Sequence, residues 1–401
     1  MRILQVHWLY RNFGGGESHF FNLCSALEEM GHEVMVLSSR NEPHLHIEGR
    51  KEYFIDNSFG LRTAFRAGPK VDKIIRDESP DVIHLHETKG FISPQIVRKM
   101  IKMCPVVQTV HIASFFCPAD TGTCPETGRF CLERPGVRCL FRCFGKEMSR
   151  KMMLLNLWKL DVTRKIDRLI VGSRFMRDIA IQSALERAKI DTISLFTNKN
   201  RAGQEPCPEI NGHLPRILYA GRVEASKGIF DFLKALSNLK TRKWAADVVG
   251  DGAALDEALK MAFELDIDKQ VDFHGVIESK KLDEFYRRAC IFVMPSLFPE
   301  SFGMSGLEAM AFGKPVIAYD SGGIRDWLVH GETGFLVEPG NPELISAGLK
   351  RLLSNKEQRI QMGAKAKARV DKYFRKEGHL EKIMQTYRSV IEARKQGKGK
   401  G

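Results

Sequence analysis

No stretch of the 401-residue chain approaches the ~20 consecutive apolar residues that a membrane-spanning helix needs. The opening MRILQVHW has an apolar run long enough only for a strand, and no small-residue cleavage site follows it. It does not read as a signal peptide, so a cytoplasmic chain is expected. Zinc fingers and RNP-type strands are missing, and with them any recognisable reason to expect a nucleic-acid partner. Acid is short of base: 62 Lys and Arg face 49 Asp and Glu, a net charge of +13. The excess gathers between Arg129 and Arg177, with thirteen basic and four acidic residues. Such a field calls for an anionic partner, and a nucleotide substrate or an anionic membrane surface satisfies it equally.

Paired C-x2-C knuckles are also absent. Of nine cysteines, five crowd into Cys117, Cys124, Cys131, Cys139 and Cys143, at intervals C-x6-C-x6-C-x7-C-x3-C. The odd total and the cytoplasmic reading argue against a disulfide framework. A structural metal, a disulfide and buried free thiols remain open for this segment.

What is present is alternation. RILQVHW (2–8), EVMVLS (33–38), DVIHLH (81–86), PVVQTV (105–110) and RLIVGS (168–173) read as buried strands. Segments with apolar spacing near 3.6, such as FFNLCSALEEMGH (20–32), lie between them. After a polar stretch punctuated by Pro206, Pro208, Gly212 and Pro215 the pattern restarts with RILYAG (216–221), WAADVVG (244–250), VDFHG (271–275), CIFVMP (290–295), PVIAYD (315–320) and GFLVE (334–338). Buried strands separated by helices predict parallel, doubly wound sheets. A chain of this length exceeds one comfortable core, so two α/β domains are expected. They span residues 1–197, with a Cys-rich insertion at 117–143, and 215–377, joined by a linker at 198–214. A last helix and basic tail occupy 378–401. Open parallel sheets bind ligands at the carboxyl ends of their strands.

Three motifs fall at such ends. GGGES (14–18) follows the first strand and opens a helix, where glycines allow close backbone approach and the helix offers free N–H groups. It lacks the spacing of the dinucleotide fingerprint, and a plain tight turn explains it equally well. GRVEASKG (221–228) places Arg222 and Lys227 in one strand-to-helix loop, where two cations can neutralise a diphosphate or stand as solvated charges. The most specific is PESFGMSGLEAMAFGKP (299–315). Exposed amides of Gly303, Met304 and Ser305 form an anion site at a helix start, Glu300 stands beside it, and Glu308 lies among apolar neighbours where an unpaired carboxylate is costly.

GGGES, GRVEASKG, VVGDG (248–252), VDFHG and ESFGMSGLE, in this order, resemble the GT-B-fold family 4 of retaining glycosyltransferases over nearly the whole chain. The resemblance implies two Rossmann-like, doubly wound domains facing a central cleft, with the last helix crossing back to the first domain. It implies transfer of a hexosyl group, with retention and without metal or cofactor, from a UDP- or GDP-linked sugar. The acceptor is a glycan or lipid-linked molecule in cell-surface polysaccharide or glycolipid assembly. By that match Arg222 and Lys227 hold the diphosphate, and Glu308 the ribose. Glu300 and the backbone of Phe302, Gly303 and Met304 hold the transferred sugar, with Gly15 and Gly16 closing over it. The loops carrying Gly250, Gly252 and His274–Val276 lie near base and phosphates. His111 in VVQTVHIAS matches a histidine beside the reacting sugar; the aspartate that often follows it in relatives is Ile112 here. His84 and His86 read as structural or acceptor-loop residues. A sugar-nucleotide epimerase and a non-catalytic nucleotide-sugar binder are the alternatives.

Two features belong to competing chemistries. Asp266 and Asp268 form a D-x-D, which sugar transferases of the other major fold use for metal, but its place at a helix end reads as turn chemistry. The segment 146–165, with Met148, Met152, Leu155 and Trp158 among its apolar positions, suits either a helix lying on an anionic membrane or a core-packed helix with a solvated basic face.

Overall fold

In a computed structural model the chain is described over residues 1–10, 15–40, 46–57, 61–88, 91–126, 130–143, 150–197, 199, 214–239 and 243–398. It divides into two compact units, Met1–Leu195 with Glu377–Gly401, and Phe196–Lys376. Most of the proposed linker at 198–214 lies outside the described residues, as do Gly14 of GGGES and residues 146–149 of the basic segment.

The first unit carries β1 (Arg2–Val6), β2 (Glu33–Ser39), β3 (Lys51–Ile55), β4 (Val82–Leu85), β5 (Val106–Val110), β6 (Arg168–Val171) and β7 (Ile190–Thr192). They form one sheet in the order β3-β2-β1-β4-β5-β6-β7, every neighbouring pair parallel. Its central strands are buried along almost their whole length, β5 entirely. Helices cover both faces, which is why these strands read as unbroken apolar runs. The edges β3 and β7 escaped the sequence reading: β3 begins with two charged residues and β7 has only three residues, so neither shows a run. The last helix, Lys376–Lys398, contributes Leu380, Ile383, Met384, Tyr387 and Val390 to a core shared with Ile3, Phe20, Leu23 and Val36. Their three-to-four-residue spacing is one helical face.

The second unit carries β8 (Arg216–Ala220), β9 (Ala245–Val249), β10 (Val271–Phe273), β11 (Ala289–Met294), β12 (Val316–Tyr319) and β13 (Gly334–Val337), ordered β10-β9-β8-β11-β12-β13 and again all parallel. In each sheet the strand order reverses beside the first strand, between β1 and β4 and between β8 and β11. A ligand crevice is expected at such switch points, off the carboxyl ends of the strands. Among the described residues no helix is long and apolar enough to cross a membrane.

Candidate functional site

In the second unit three loops at strand carboxyl ends are knitted together by backbone. The Gly221 amide donates to Val249 O at 3.0 Å, the Val223 amide to Asp251 O at 2.9 Å, and the Gly250 amide to Gly275 O at 2.8 Å. Gly250 has φ +135°, and a Cβ there would stand 1.9 Å from Gly221 O. Gly252 likewise packs directly on the Val223 carbonyl. These two glycines, expected to serve the nucleotide, are required first by the neighbouring loop. His274 turns to Asp247, with Nε2 2.8 Å from its carboxylate. Val276 is left 77% exposed at the loop end.

The cations and carboxylates of the motifs meet. Lys227 Nζ lies 2.6 Å from Glu300 Oε1, the side chains 22% and 13% exposed. Arg222, two-thirds exposed, pairs with Glu224 Oε1 at 2.7 Å. The sequence leaves these cations either a diphosphate or solvent; here each holds a carboxylate, and Glu224 carries no motif that singles it out. Beyond Glu300 the chain bridges Gly322, and the Gly323 amide donates to Glu300 O at 2.7 Å. The Trp327 indole N–H donates to the carbonyl of buried Phe302 at 2.5 Å. Gly303, at φ +88°, turns the backbone into the helix Met304–Ala311. The first amides of that helix have no intrahelical acceptor and, with the helix dipole, favour an anion.

Glu308 lies one turn further on. The Tyr286 hydroxyl is 3.1 Å from Glu308 Oε2 and 3.3 Å from Ser305 O. Burial pushes the Glu308 carboxyl above its usual range, and Lys199 opposes that shift. Lys199 donates to Asp283 Oδ1 at 2.7 Å. Tyr286, Lys199 and Asp283 were missed: Lys199 fell in the presumed linker, and the other two sit on a helix (Ser279–Arg288) without motif character. Their one signal is a three-residue spacing that puts both on the same helical face.

In the first unit His7, His86 and His111 follow β1, β4 and β5 directly. A chain of hydrogen bonds with a fixed direction ends at His111. The Gln5 carboxamide oxygen, 2.7 Å from His86 Nε2, can only accept, so His86 carries its proton on Nε2. Its Nδ1 is then an acceptor, and His111 donates to it from Nε2 at 3.2 Å. His111 therefore presents a bare Nδ1. Upstream, Gln5 Nε2 donates to Tyr387 Oη at 3.3 Å, Tyr387 to His84 Nδ1 at 2.6 Å, and His84 Nε2 to Thr109 Oγ1 at 2.7 Å. Both rings near the end of the chain are held neutral: burial and then His379 lower His111 to about 4, and burial and neighbouring histidines put His86 well below its usual value. His84 and His86 are thus held in a buried hydrogen-bond network, in which His86 orients His111. Gly15 and Gly16 open the helix Gly15–Glu29.

Three other features take their place around these. Asp247, Asp272 and His274 bring ligand atoms within 4.8 Å of one another. Asp247, however, is already met by Arg216 at 2.6 Å and by Arg288, and those guanidinium groups repel a metal ion. Asp266 and Asp268 are exposed in the turn after the helix Leu255–Glu264. The described part of the basic segment is the helix Arg150–Thr163, which buries Met153, Leu160 and Val162 and packs Trp158 against the core. Leu154 of the same helix stands 54% exposed.

Solved structures of similar fold include sucrose-phosphate synthase from Thermosynechococcus elongatus, with a TM-score of 0.76 at 19% identity over 98% of this chain and 99% of that one. HepE of Anabaena, in complex with UDP and glucose, matches with a TM-score of 0.73 at 18% identity over 97% and 100%. The class is thereby a glycosyltransferase of the GT-B fold. The profile for Glycosyltransferase Family 4 matches residues 13–201, and that for Glycosyl transferases group 1 matches residues 204–369. A glycogen synthase of Mycobacterium tuberculosis is 27% identical over 390 residues, covering 88% of this chain and 86% of its own length. The chain belongs to the group 1 glycosyltransferases of family 4.

Proposed function

We propose that this glycosyltransferase moves a hexosyl group, with retention of configuration, from a UDP- or GDP-linked sugar to a glycan or lipid-linked acceptor. It works in the cytoplasm, in cell-surface polysaccharide or glycolipid assembly. The observation that carries the reading is the convergence of Lys227, Glu300 and the amino end of the helix Met304–Ala311 in one unit. A departing nucleoside diphosphate bears at least two negative charges. Arg222, Lys227 and a helix terminus worth about half a charge offset it without a metal ion.

On this reading the diphosphate draws Lys227 from Glu300, and the freed carboxylate accepts hydroxyls of the transferred sugar. Glu308, aligned by Tyr286, accepts the ribose hydroxyls. His111 offers its bare Nδ1 to a substrate hydroxyl. Gly15, Gly16, Gly250, Gly252, Val276 and the backbone of Phe302, Gly303 and Met304 shape the donor surface. No carboxylate pair is assigned as acid and nucleophile in the glycosidase manner. Attack comes from the leaving-group face, the departing phosphate taking the acceptor proton, and the protein positions the reactants and stabilises charge. Membrane contact through the Arg150–Thr163 helix forms no part of the proposal.

Incubation with a panel of nucleotide-sugars, followed by nucleotide release, tests this. Slow release from one donor, undiminished by EDTA, is expected. Release abolished by EDTA and restored by magnesium or manganese overturns the metal-free mechanism. Interconversion of free nucleotide-sugars marks an epimerase, and binding without release a non-catalytic binder.

A further inference from the structure

From Thr123 to Cys143 no described side chain is buried. Leu132, Val137 and Phe141 stand 58%, 66% and 75% exposed; half-buried Phe130 packs against the core beneath, but the described stretch buries no core of its own. It is nonetheless folded. Thr123 bridges Phe130 in antiparallel fashion, the Cys131 amide donates to Gly122 O at 2.8 Å, and one helical turn runs over Cys139–Arg142. Contacts with the unit beneath include Asn156 donating to Pro118 O at 2.9 Å, Gln182 donating to Leu132 O, and Phe130 meeting Phe175. A segment this short without a core needs another source of cohesion, which in small modules is a disulfide or a metal.

Its cysteines converge. Cys124, Cys131, Cys139 and Cys143 line one small cavity, and Cys117, Cys131, Cys139 and Cys143 carry free thiols. Cys139 and Cys143 are four residues apart across one turn, which puts both sulfurs on one side. Cys143 lies within the electrostatic reach of all the others, Cys139 most strongly, then Cys117, Cys131 and last Cys124. Cys131 likewise feels Cys117 before Cys124. Cys124 instead has Arg142 Nη2 4.0 Å from its sulfur.

We propose that Cys131, Cys139 and Cys143, with Cys117 or Cys124 as the fourth ligand, bind one thiophilic divalent cation of the zinc class, which holds this segment together. Several cysteines facing one small cavity suit a single tetrahedral ion held by four thiolates. On binding, the four thiols release their protons to solvent. Four thiolates and one dication leave two negative charges, and Arg134 and Arg138, which line the same cavity, offset them. Among the described residues no three of these sulfurs lie mutually within 4.8 Å, so the ion draws the hairpin and the helical turn inward. A stretch with no buried side chain can make that movement.

The test reads metal rather than turnover, so it stands apart from the proposed reaction. Protein purified without chelator should contain one zinc per chain by elemental analysis, and cobalt exchanged for it should show thiolate-to-metal charge transfer. Cys131→Ser and Cys143→Ser should lose the metal, and of Cys117→Ser and Cys124→Ser one should lose it and the other keep it. Should these variants fail to fold, the cobalt spectrum of the unaltered chain decides. Metal-free protein overturns the proposal, whether its thiols all react with a thiol reagent or mass spectrometry finds them paired as disulfides. Zinc retained by Cys131→Ser or by Cys143→Ser overturns the ligand set.

Discussion

Lys227 and Glu300 are 73 residues apart in sequence and 2.6 Å apart in space. Their ion pair is partly exposed and contributes little to stability; its value lies in keeping a cation and a carboxylate beside a helix terminus. Glu300→Gln preserves the volume and removes the charged acceptor. It should cost at least ~1.5 kcal/mol in transition-state stabilisation, roughly a tenfold fall in kcat/KM, with the melting temperature little changed. Full turnover by a correctly folded variant would place Glu300 outside the site. His111 makes a second residue-scale prediction. Long-range nitrogen NMR at neutral pH should find it neutral with the proton on Nε2, as its bond to His86 dictates. Gln5→Leu removes the acceptor that fixes the His86 tautomer, so it should mix the His111 signals and lower kcat by roughly tenfold, one hydrogen bond's worth. An unchanged His111 spectrum in that variant would break the proposed link.

At the scale of elements, the glycines after β8 and β9 let two loops touch backbone to backbone. An alanine Cβ at Gly250 would meet Gly221 O at 1.9 Å, at a φ of +135° that side chains rarely adopt. Gly250→Ala should therefore destabilise the second unit by about 3 kcal/mol, a melting fall of roughly 6–12 °C. A melting curve within 2 °C or so of the parent would show that the loops separate more easily than their packing indicates. Loop partnership of this kind has no local signature. VVGDG and GRVEASKG announce two strand-to-helix turns, but nothing in either announces that they touch. Strand centres were legible because burial on both faces of a parallel sheet leaves apolar runs. The edges β3 and β7 are half exposed or too short, and left none.

At the scale of the whole molecule, the first unit concentrates His7, His19, His84, His86, His111 and His379, contributed by strands, by the helix Gly15–Glu29 and by the last helix. Burial, the largest cause for each, holds them neutral: His7 and His84 fall to about 3, His111 and His379 to about 4, and His19 and His86 well below their usual value. Below pH 6.5 the unfolded chain binds protons that the folded one refuses, so stability declines as pH falls from there toward 4. Glu33 and Glu78, held below the carboxylate range by hydrogen bonds from Lys51 first, add to the loss below pH 4.5. Urea midpoints should be level from pH 8 to about 7 and drop steadily from 6.5 to 4.5, the first unit unfolding before the second. A flat profile down to pH 4.5 would mean that these histidines charge without unfolding the chain.

The sequence alone determined the two-domain α/β architecture, most strands, the strand-end positions of the motifs and the candidate residues on them. Each depends on local pattern: a run of apolar residues, a glycine before a helix, a carboxylate eight residues from another. Tertiary structure alone decided which polar groups meet. It set Lys227 against Glu300, Tyr286 against Glu308, Asp247 between two arginines, and Gln5, His86 and Tyr387 behind His111. Those pairings follow from strand order, which seats β1 beside β4 and returns the last helix to the first unit's core. Hydrophobic burial is largely indifferent to which buried neighbour satisfies it and is written along the chain. A hydrogen bond needs one particular partner within about 3 Å, and folding alone brings that partner there.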